Sequence, residues 1–154
     1  MKITLSEVEQ RLVKHIANLR YKNDRAVGAT ATLYNRSPLE NEINSLGAEL
    51  AYCKIFNCYP DLGVNEFMPF DAIKPNGETV DVKHTILKNG RLLVKVKDRK
   101  STPDMYALMI GTFPEYYYAG EIASNELLDE KNIITNIAHP AYAVEQARLV
   151  KLNE

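Results

Sequence analysis

Two Asn-Gly pairs in the middle of the chain constrain its fold more than any other feature. Asn76-Gly77 and Asn89-Gly90 lie between short segments in which apolar and polar residues alternate. Asn-Gly between alternating segments is a strong signal for a β-hairpin. Two more such segments follow, with Gly111 and Pro114 between them. We therefore predict a meander of about five strands. They are residues 67–73, 79–85, 91–97, 105–112 and 116–122.

The first half of the chain carries helix signals instead. Ser6 and Glu9 have the spacing of a capping box, and apolar residues recur at helical intervals after them. The stripe of this first helix is Val8, Leu12, Ile16 and Leu19. Residues 21–36 have no clear periodicity, so we predict a long loop there.

The second helix has the strongest start signal in the sequence. Ser37 is a natural N-cap, Pro38 suits the first helical position, and Glu40 completes a capping box. Its apolar stripe is Ile43, Leu46, Leu50 and Cys53. This helix should end near Asn57. Short helical pieces are predicted at residues 124–128 and 141–149.

These elements predict an α+β fold, with helices packed on a mainly antiparallel sheet, in a single domain spanning residues 1–154. The composition, 45% hydrophobic and 25% charged, is typical of globular proteins. No apolar run approaches the ~20 residues of a membrane span. The N-terminus also lacks the apolar region of a signal peptide. We therefore expect no membrane partner and a cytoplasmic location.

The two cysteines do not predict a disulfide framework or a zinc site. Cys53 and Cys58 are too few for the first, and His15, His84 and His139 are too scattered for the second. We expect both cysteines to be structural thiols in a reducing compartment.

The strand predicted at 79–85 carries a pattern with chemical meaning. Side chains alternate across a strand, so Val80 and Val82 should face the helices. Asp81 and Lys83 then share the other face, a short distance apart.

A second carboxylate belongs to the preceding strand. Hairpin pairing around Pro75-Asn76-Gly77 could bring Asp71 beside Asp81. Two carboxylates this close repel each other unless a cation joins them, and Mg²⁺ fits because it takes hard oxygen ligands. Such an ion can polarise a phosphoryl oxygen and activate water. Lys83 could orient that water or stabilise charge developing on the phosphate.

The second helix supplies a third acid. At about 100° per residue, Glu49 falls at the edge of the apolar stripe and not on the opposite face. The small neighbours Gly47, Ala48 and Ala51 would let the helix approach the sheet closely. A carboxylate at this margin can reach over the sheet.

These residues resemble the signature of the PD-(D/E)XK nuclease superfamily. The signature is a helix glutamate (Glu49 in Gly47-Ala48-Glu49-Leu50-Ala51), a strand aspartate (Asp71), and an acid-x-Lys on the next strand (Asp81-Val82-Lys83). The resemblance covers roughly residues 37–97. It implies a restriction-endonuclease-like core that hydrolyses nucleic-acid phosphodiester bonds.

The resemblance also implies a cofactor and roles. Mg²⁺ or Mn²⁺ would be held by Glu49, Asp71, Asp81 and the carbonyl of Val82, and Lys83 would assist the attacking water. The small size and the downstream strands are similar to phage-type members, for which the location would be the host cytoplasm.

Other assignments of the motif stay open. Acid-x-Lys occurs at Asp81/Lys83, Asp98/Lys100 and Asp129/Lys131, and only its context selects the first. Phe70, not proline, precedes Asp71, whereas a literal Pro-Asp occurs at Pro60-Asp61. Asp61 is therefore an alternative first acid. A register with Asp81 as the first acid and Asp98/Lys100 as the motif is a further alternative.

The net charge of −1 means that any grip on nucleic acid must come from local clusters. Lys95, Lys97 and Arg99 alternate on one strand face and could follow a phosphate backbone. A solubilising edge strand is the alternative interpretation. Arg20, Lys22 and Arg25 form a second candidate cluster.

The sequence thus predicts a metal-dependent nuclease, endo- or exonuclease, acting on DNA in preference to RNA. The alternative is a nuclease-fold module without catalysis, which binds nucleic acid or another protein. A homodimer is compatible with either hypothesis.

Overall fold

The computed structural model describes residues 1–26, 37–64, 68–97 and 101–152. The strands are β1 (Lys2–Thr4), β2 (Tyr59–Pro60), β3 (Ala72–Ile73), β4 (Thr79–Thr85), β5 (Leu92–Lys95), β6 (Met105–Thr112), β7 (Glu115–Ala123), β8 (Ile133–Ile134) and β9 (Ala141–Val144). The α-helices are α1 (Glu7–Ala26), α2 (Pro38–Phe56) and α3 (Ser124–Leu127). Two 3₁₀ turns, Glu130–Asn132 and Gln146–Arg148, complete the described elements.

The strands form two sheets. The larger has six strands in the order β1-β7-β6-β4-β3-β2, in which β4 and β6 are parallel and the other neighbours antiparallel. The smaller is antiparallel, in the order β5-β9-β8. The predicted α+β class is therefore confirmed, with a mixed sheet of six strands and a second small sheet.

One predicted hairpin forms and the other does not. β3 and β4 pair around Pro75-Asn76-Gly77, with Ala72 opposite Val80. β5 does not pair with β4, because β3 and β6 already occupy the two edges of β4. The turn at Asn89-Gly90 instead sends β5 to the small sheet, where its partner is β9.

Helix α1 begins as predicted but buries a different face. The capping box forms, since the backbone N–H of Ser6 donates to Glu9 Oε2 over 2.7 Å. Val13 and Ala17 are buried, and Ile16 of the predicted stripe packs against the same core. Val8 is 76% exposed, so the predicted stripe was wrong except at Ile16. Leu12 and Leu19 are also exposed. The helix continues to Ala26, so the loop predicted from residue 21 was wrong up to that point; residues 27–36 lie outside the described part.

Both ends of helix α2 lie where the sequence predicts them. Ser37 forms the complete capping box with Glu40, and Asn57, in the left-handed conformation, ends the helix. Gly47 faces the hydroxyl of Tyr116, where a Cβ atom would collide. That hydroxyl donates to the carbonyl of Asn44 over 3.0 Å. The close approach of helix and sheet predicted from the small residues is therefore confirmed at Gly47.

The large sheet separates two hydrophobic clusters. Helices α1 and α2 cover one face, where Val80, Val82 and Tyr116 are buried. The other cluster contains Tyr106 and Leu108 of β6 and side chains of the small sheet. Val80 and Val82 therefore face the helices as predicted, and Asp81 and Lys83 lie on the opposite face of β4.

Further differences from the prediction lie both within the chain and at its ends. β2 and β8 were not predicted, and of the strand predicted at residues 67–73 the described part forms a strand only at Ala72–Ile73. β1 was not predicted, and residues 141–144 form a strand where a helical turn was expected. The helical geometry in that segment is confined to Gln146–Arg148. Among the described residues, no helix combines the length and apolarity needed to cross a bilayer.

Candidate active site

The β3–β4 hairpin brings Asp71 directly beside β4. Asp71 immediately precedes β3, and its backbone N–H donates to the carbonyl of Val80 over 2.9 Å. Its side chain turns along the edge of β4, where Oδ2 accepts a hydrogen bond from the backbone N–H of Val82 over 2.7 Å. The Asp71 carboxylate thus accepts a hydrogen bond that a backbone carbonyl would accept if β3 extended further along β4.

The same edge of β4 presents the carbonyl of Val82. In an extended strand, the N–H and C=O of one residue point to the same side. Since the N–H of Val82 points to Asp71, its carbonyl oxygen points to this edge as well. The carbonyl oxygen of Val82 and the carboxylate of Asp71 therefore lie on the same edge of β4, beside the start of β3.

Asp81 and Lys83, two positions apart on β4, form an ion pair. Lys83 Nζ lies 2.5 Å from Asp81 Oδ1. That oxygen is buried and has no hydrogen bond of ordinary geometry, so the ion pair is its compensation. Burial by itself would lower the pKa of Lys83, but Asp81 and Asp71 raise it above its usual value, so the amine stays protonated.

The carboxyl group of Asp71 is perturbed by its surroundings. Burial, followed by the neighbouring charge of Asp81, raises its pKa to about 7, against the weaker opposing effect of the Val82 N–H. The two carboxyl groups are close enough to interact by a side-chain hydrogen bond. The Asp71 carboxyl is therefore partly protonated at neutral pH, beside the ion pair of Asp81 and Lys83.

Glu49 reaches the same cluster from α2. It is only 8% exposed, deeper than the helix edge at which its sequence position placed it. Burial raises the pKa of its carboxyl well above the usual range, and the charge of Asp71 adds to this effect. Arg20 opposes the shift, and Asp81 contributes a smaller increase.

Arg20 is the main residue whose role the sequence did not reveal. Its Nε and Nη2 donate to the carbonyls of Gly63 and Asp61 over 2.9 and 2.8 Å. Its Nη1 lies 3.5 Å from Glu42 and 3.8 Å from Glu49. The side chain is 17% exposed, and these contacts place it in the acidic cluster.

Two more acids belong to this network. Glu42 lies seven residues before Glu49 on the same side of α2, and burial raises its pKa. This spacing is the one sequence signal that could have found it. Asp61 Oδ2 is 3.8 Å from Arg20, and the backbone N–H of Asp61 donates to the carbonyl of Asp71.

Of the alternative motif residues, only Asp61 lies near this cluster among the described residues. Asp129 and Lys131 form an ion pair of 2.8 Å at the surface, where Asp129 caps a 3₁₀ turn. Asp98 and Lys100 lie outside the described residues. Asp61 lies in the neighbourhood, but its carboxylate is beside Arg20, whereas Asp71 adjoins Asp81.

The predicted basic residues are only partly described. Lys95 is exposed at the end of β5, an edge strand of the small sheet, and Lys97 is exposed two residues beyond that strand. Arg99 lies outside the described residues, and the side chain of Arg25 does too. Lys22 is exposed on α1.

Comparisons with protein-family models, with curated proteins and with solved structures found no match to this chain. The acidic cluster itself is therefore the basis for assigning a function. Within residues 1–26, 37–64, 68–97 and 101–152, no three His, Cys, Asp or Glu side chains are already arranged around one ion position.

Proposed function

We propose that this chain is a nuclease that uses Mg²⁺ or Mn²⁺ to hydrolyse phosphodiester bonds, with DNA as the preferred substrate. The observation that carries the proposal is the excess of acidic over basic side chains in the partly buried cluster around Asp71. The acids of the cluster outnumber the two bases beside them. These are Glu42, Glu49, Asp61, Asp71 and Asp81, with Arg20 and Lys83.

The donor atoms fit a hard divalent cation. Glu49, Asp71 and Asp81 supply carboxylate oxygens, and Val82 supplies a carbonyl at the same strand edge. The buried Oδ1 of Asp81 has the Lys83 amine as its counter-charge, and a cation could take that position. Side-chain rotations within the cluster are required first, because Asp81 now faces Lys83 and Glu49 faces Arg20.

A bound Mg²⁺ or Mn²⁺ supplies positive charge to a phosphoryl oxygen and makes water more acidic. The chain's own residues do the rest. Lys83, whose amine stays protonated, can orient the attacking water or stabilise charge that develops on the phosphate. Arg20 lies beside Glu49 and Glu42 and is itself held by the carbonyls of Gly63 and Asp61.

The rival function is a module that keeps this fold but does not cleave. The ion pairs of Asp81 with Lys83 and of Glu49 with Arg20 favour this alternative, because they compensate two acids without a metal. Metal dependence separates the two. A nuclease must bind Mg²⁺ or Mn²⁺ at the acids, whereas the binding module has no such requirement.

The test is incubation of the purified chain with labelled single strands, duplexes and branched structures of DNA and RNA. Each is incubated with Mn²⁺, with Mg²⁺ or with EDTA. We expect cleavage of at least one DNA structure with either metal and none with EDTA. Binding without cleavage under every condition would support the inactive module and overturn the nuclease.

A further inference from the structure

A cleft of about 460 Å³ opens at the sheet edge formed by β2 and β3. Its walls are mostly apolar and include Tyr59, Met68, Phe70 and Ile73. Asp71, the acid beside Val82, belongs to the same cleft. The volume falls within the range of roughly 300–1,000 Å³ found for small-molecule sites.

The apolar side chains of this cleft are unusually open to solvent. Tyr59 is 77% exposed, Ile73 48% and Met68 42%. Tyr59 and Ile73 are direct cross-strand partners, so they form one continuous patch. A contiguous exposed apolar patch beside a polar site indicates a surface that binds something.

The shape of this edge favours a ligand over an added peptide strand. β2 and β3 pair over only two residues each, which leaves too short an edge for a strand to extend the sheet. An open aromatic ring in an apolar cleft is instead suited to stacking on a flat heterocycle, which every nucleobase presents.

We infer that this cleft receives an unpaired nucleobase next to the scissile phosphate. The inference rests on the proposed function, in which the phosphate lies at Asp71. Asp71 belongs to the acidic cluster and also lines the cleft, whose wall includes Tyr59. A base attached to a phosphate at Asp71 would therefore lie in the cleft and contact Tyr59. A base within a duplex is stacked between its neighbours and cannot enter, so the substrate class is nucleic acid with an unpaired nucleotide at the cut.

The experiment compares a DNA duplex that carries one unpaired 2-aminopurine with the fully paired duplex of the same sequence. Ca²⁺ replaces Mg²⁺ to suppress cleavage, and both anisotropy and 2-aminopurine fluorescence are measured. The variants are Tyr59→Ala and Tyr59→Phe. Tyr117→Ala is the matched control, because Tyr117 is 49% exposed on β7 and does not line the cleft.

We expect quenched fluorescence in the wild type and tighter binding of the unpaired substrate. Tyr59→Ala should weaken that binding by about 5- to 150-fold, the fold-change equivalent to ~1–3 kcal/mol of stacking per base. Tyr59→Phe and Tyr117→Ala should bind like the wild type. Equal affinity for the two duplexes, or an unchanged affinity in Tyr59→Ala, would overturn the inference.

Failure of the inference and failure of the nuclease are distinguishable with the same DNAs in Mn²⁺. Metal-dependent cutting of both duplexes at equal rates, unaffected by Tyr59→Ala, overturns the base site and leaves the nuclease intact. Quenching that depends on Tyr59, without cutting in Mn²⁺, supports the base site and overturns the nuclease.

Discussion

Replacing Asp71 with Asn should stabilise the metal-free protein at pH 8. The carboxyl of Asp71 has a pKa of about 7 in the folded chain, against an ordinary value of 3.8, because burial and Asp81 disfavour its charge. The folded state therefore binds this proton more tightly than the unfolded chain does. Its contribution to stability is complete below about pH 4 and is lost as the pH rises through about 7.

The structure sets the size of the effect. The difference of about 3 pKa units, at ~1.4 kcal/mol per unit, gives an upper limit of about 4 kcal/mol. The charge of Asp71 interacts with those of Asp81 and Glu49, which spreads the effect over the group, so we expect roughly 1–3 kcal/mol. The amide oxygen of Asn can still accept the hydrogen bond from Val82, so the strand edge should be preserved.

The assay is urea denaturation of the wild type and Asp71→Asn between pH 4 and pH 8, in EDTA and in Mn²⁺. Glu126→Gln, which removes one exposed charge on α3, is the control for net charge. In EDTA, the advantage of Asp71→Asn should be largest at pH 8 and fade towards pH 4. In Mn²⁺ the order should reverse, because the ion stabilises the state that binds it. A less stable Asp71→Asn in EDTA at pH 8 would refute this account of the charge.

Three further predictions concern the lysine, the basic strand and the helix contact. Asp81→Asn should weaken Mn²⁺ binding, measured by calorimetry, whereas Lys83→Ala should leave that binding nearly intact and slow cleavage by about 10²-fold or more. Equal loss of binding in both variants would contradict the catalytic role of Lys83. Replacing Lys95, Lys97 and Arg99 with Gln should flatten the slope of log affinity against log salt by up to about 3 units, measured by anisotropy with Ca²⁺; an unchanged slope would identify β5 as a solvated edge. Gly47→Ala should lower the free energy of unfolding by ~1–3 kcal/mol in urea denaturation, because the added Cβ meets the Tyr116 hydroxyl. The loss should be smaller in a Tyr116→Phe background, and an equal loss in both backgrounds would contradict this contact.

Features with a local cause were predictable from the sequence. The capping box of Ser37 and Glu40 fixed the start of α2, and the strand at Met105–Thr112 has the predicted bounds. The alternation of β4 correctly separated the valines from Asp81 and Lys83, because the side-chain period of a strand depends on no distant residue.

Features that depend on distant contacts were not predictable. The parallel pairing of β4 with β6 joins Val80 to Met105, and no short-range signal specifies such a pair. The buried face of α1 was mispredicted because the packing of α1 in the fold buries the smaller Val13 and Ala17 and leaves the larger Leu12 exposed. The place of Arg20 in the acidic cluster could not be predicted for the same reason, because its partners lie more than 20 residues away along the chain.

The central claim is that the acids around Asp71 hold a metal that cleaves DNA. The most direct measurement is a time course of 5′-labelled DNA with the wild type and Asp81→Asn, side by side in Mn²⁺, after circular dichroism shows that both are folded. The account predicts cutting by the wild type that stops with EDTA and is lost in Asp81→Asn, because that variant lacks one charged oxygen ligand. Equal cutting by both proteins, or cutting that persists in EDTA, would contradict it.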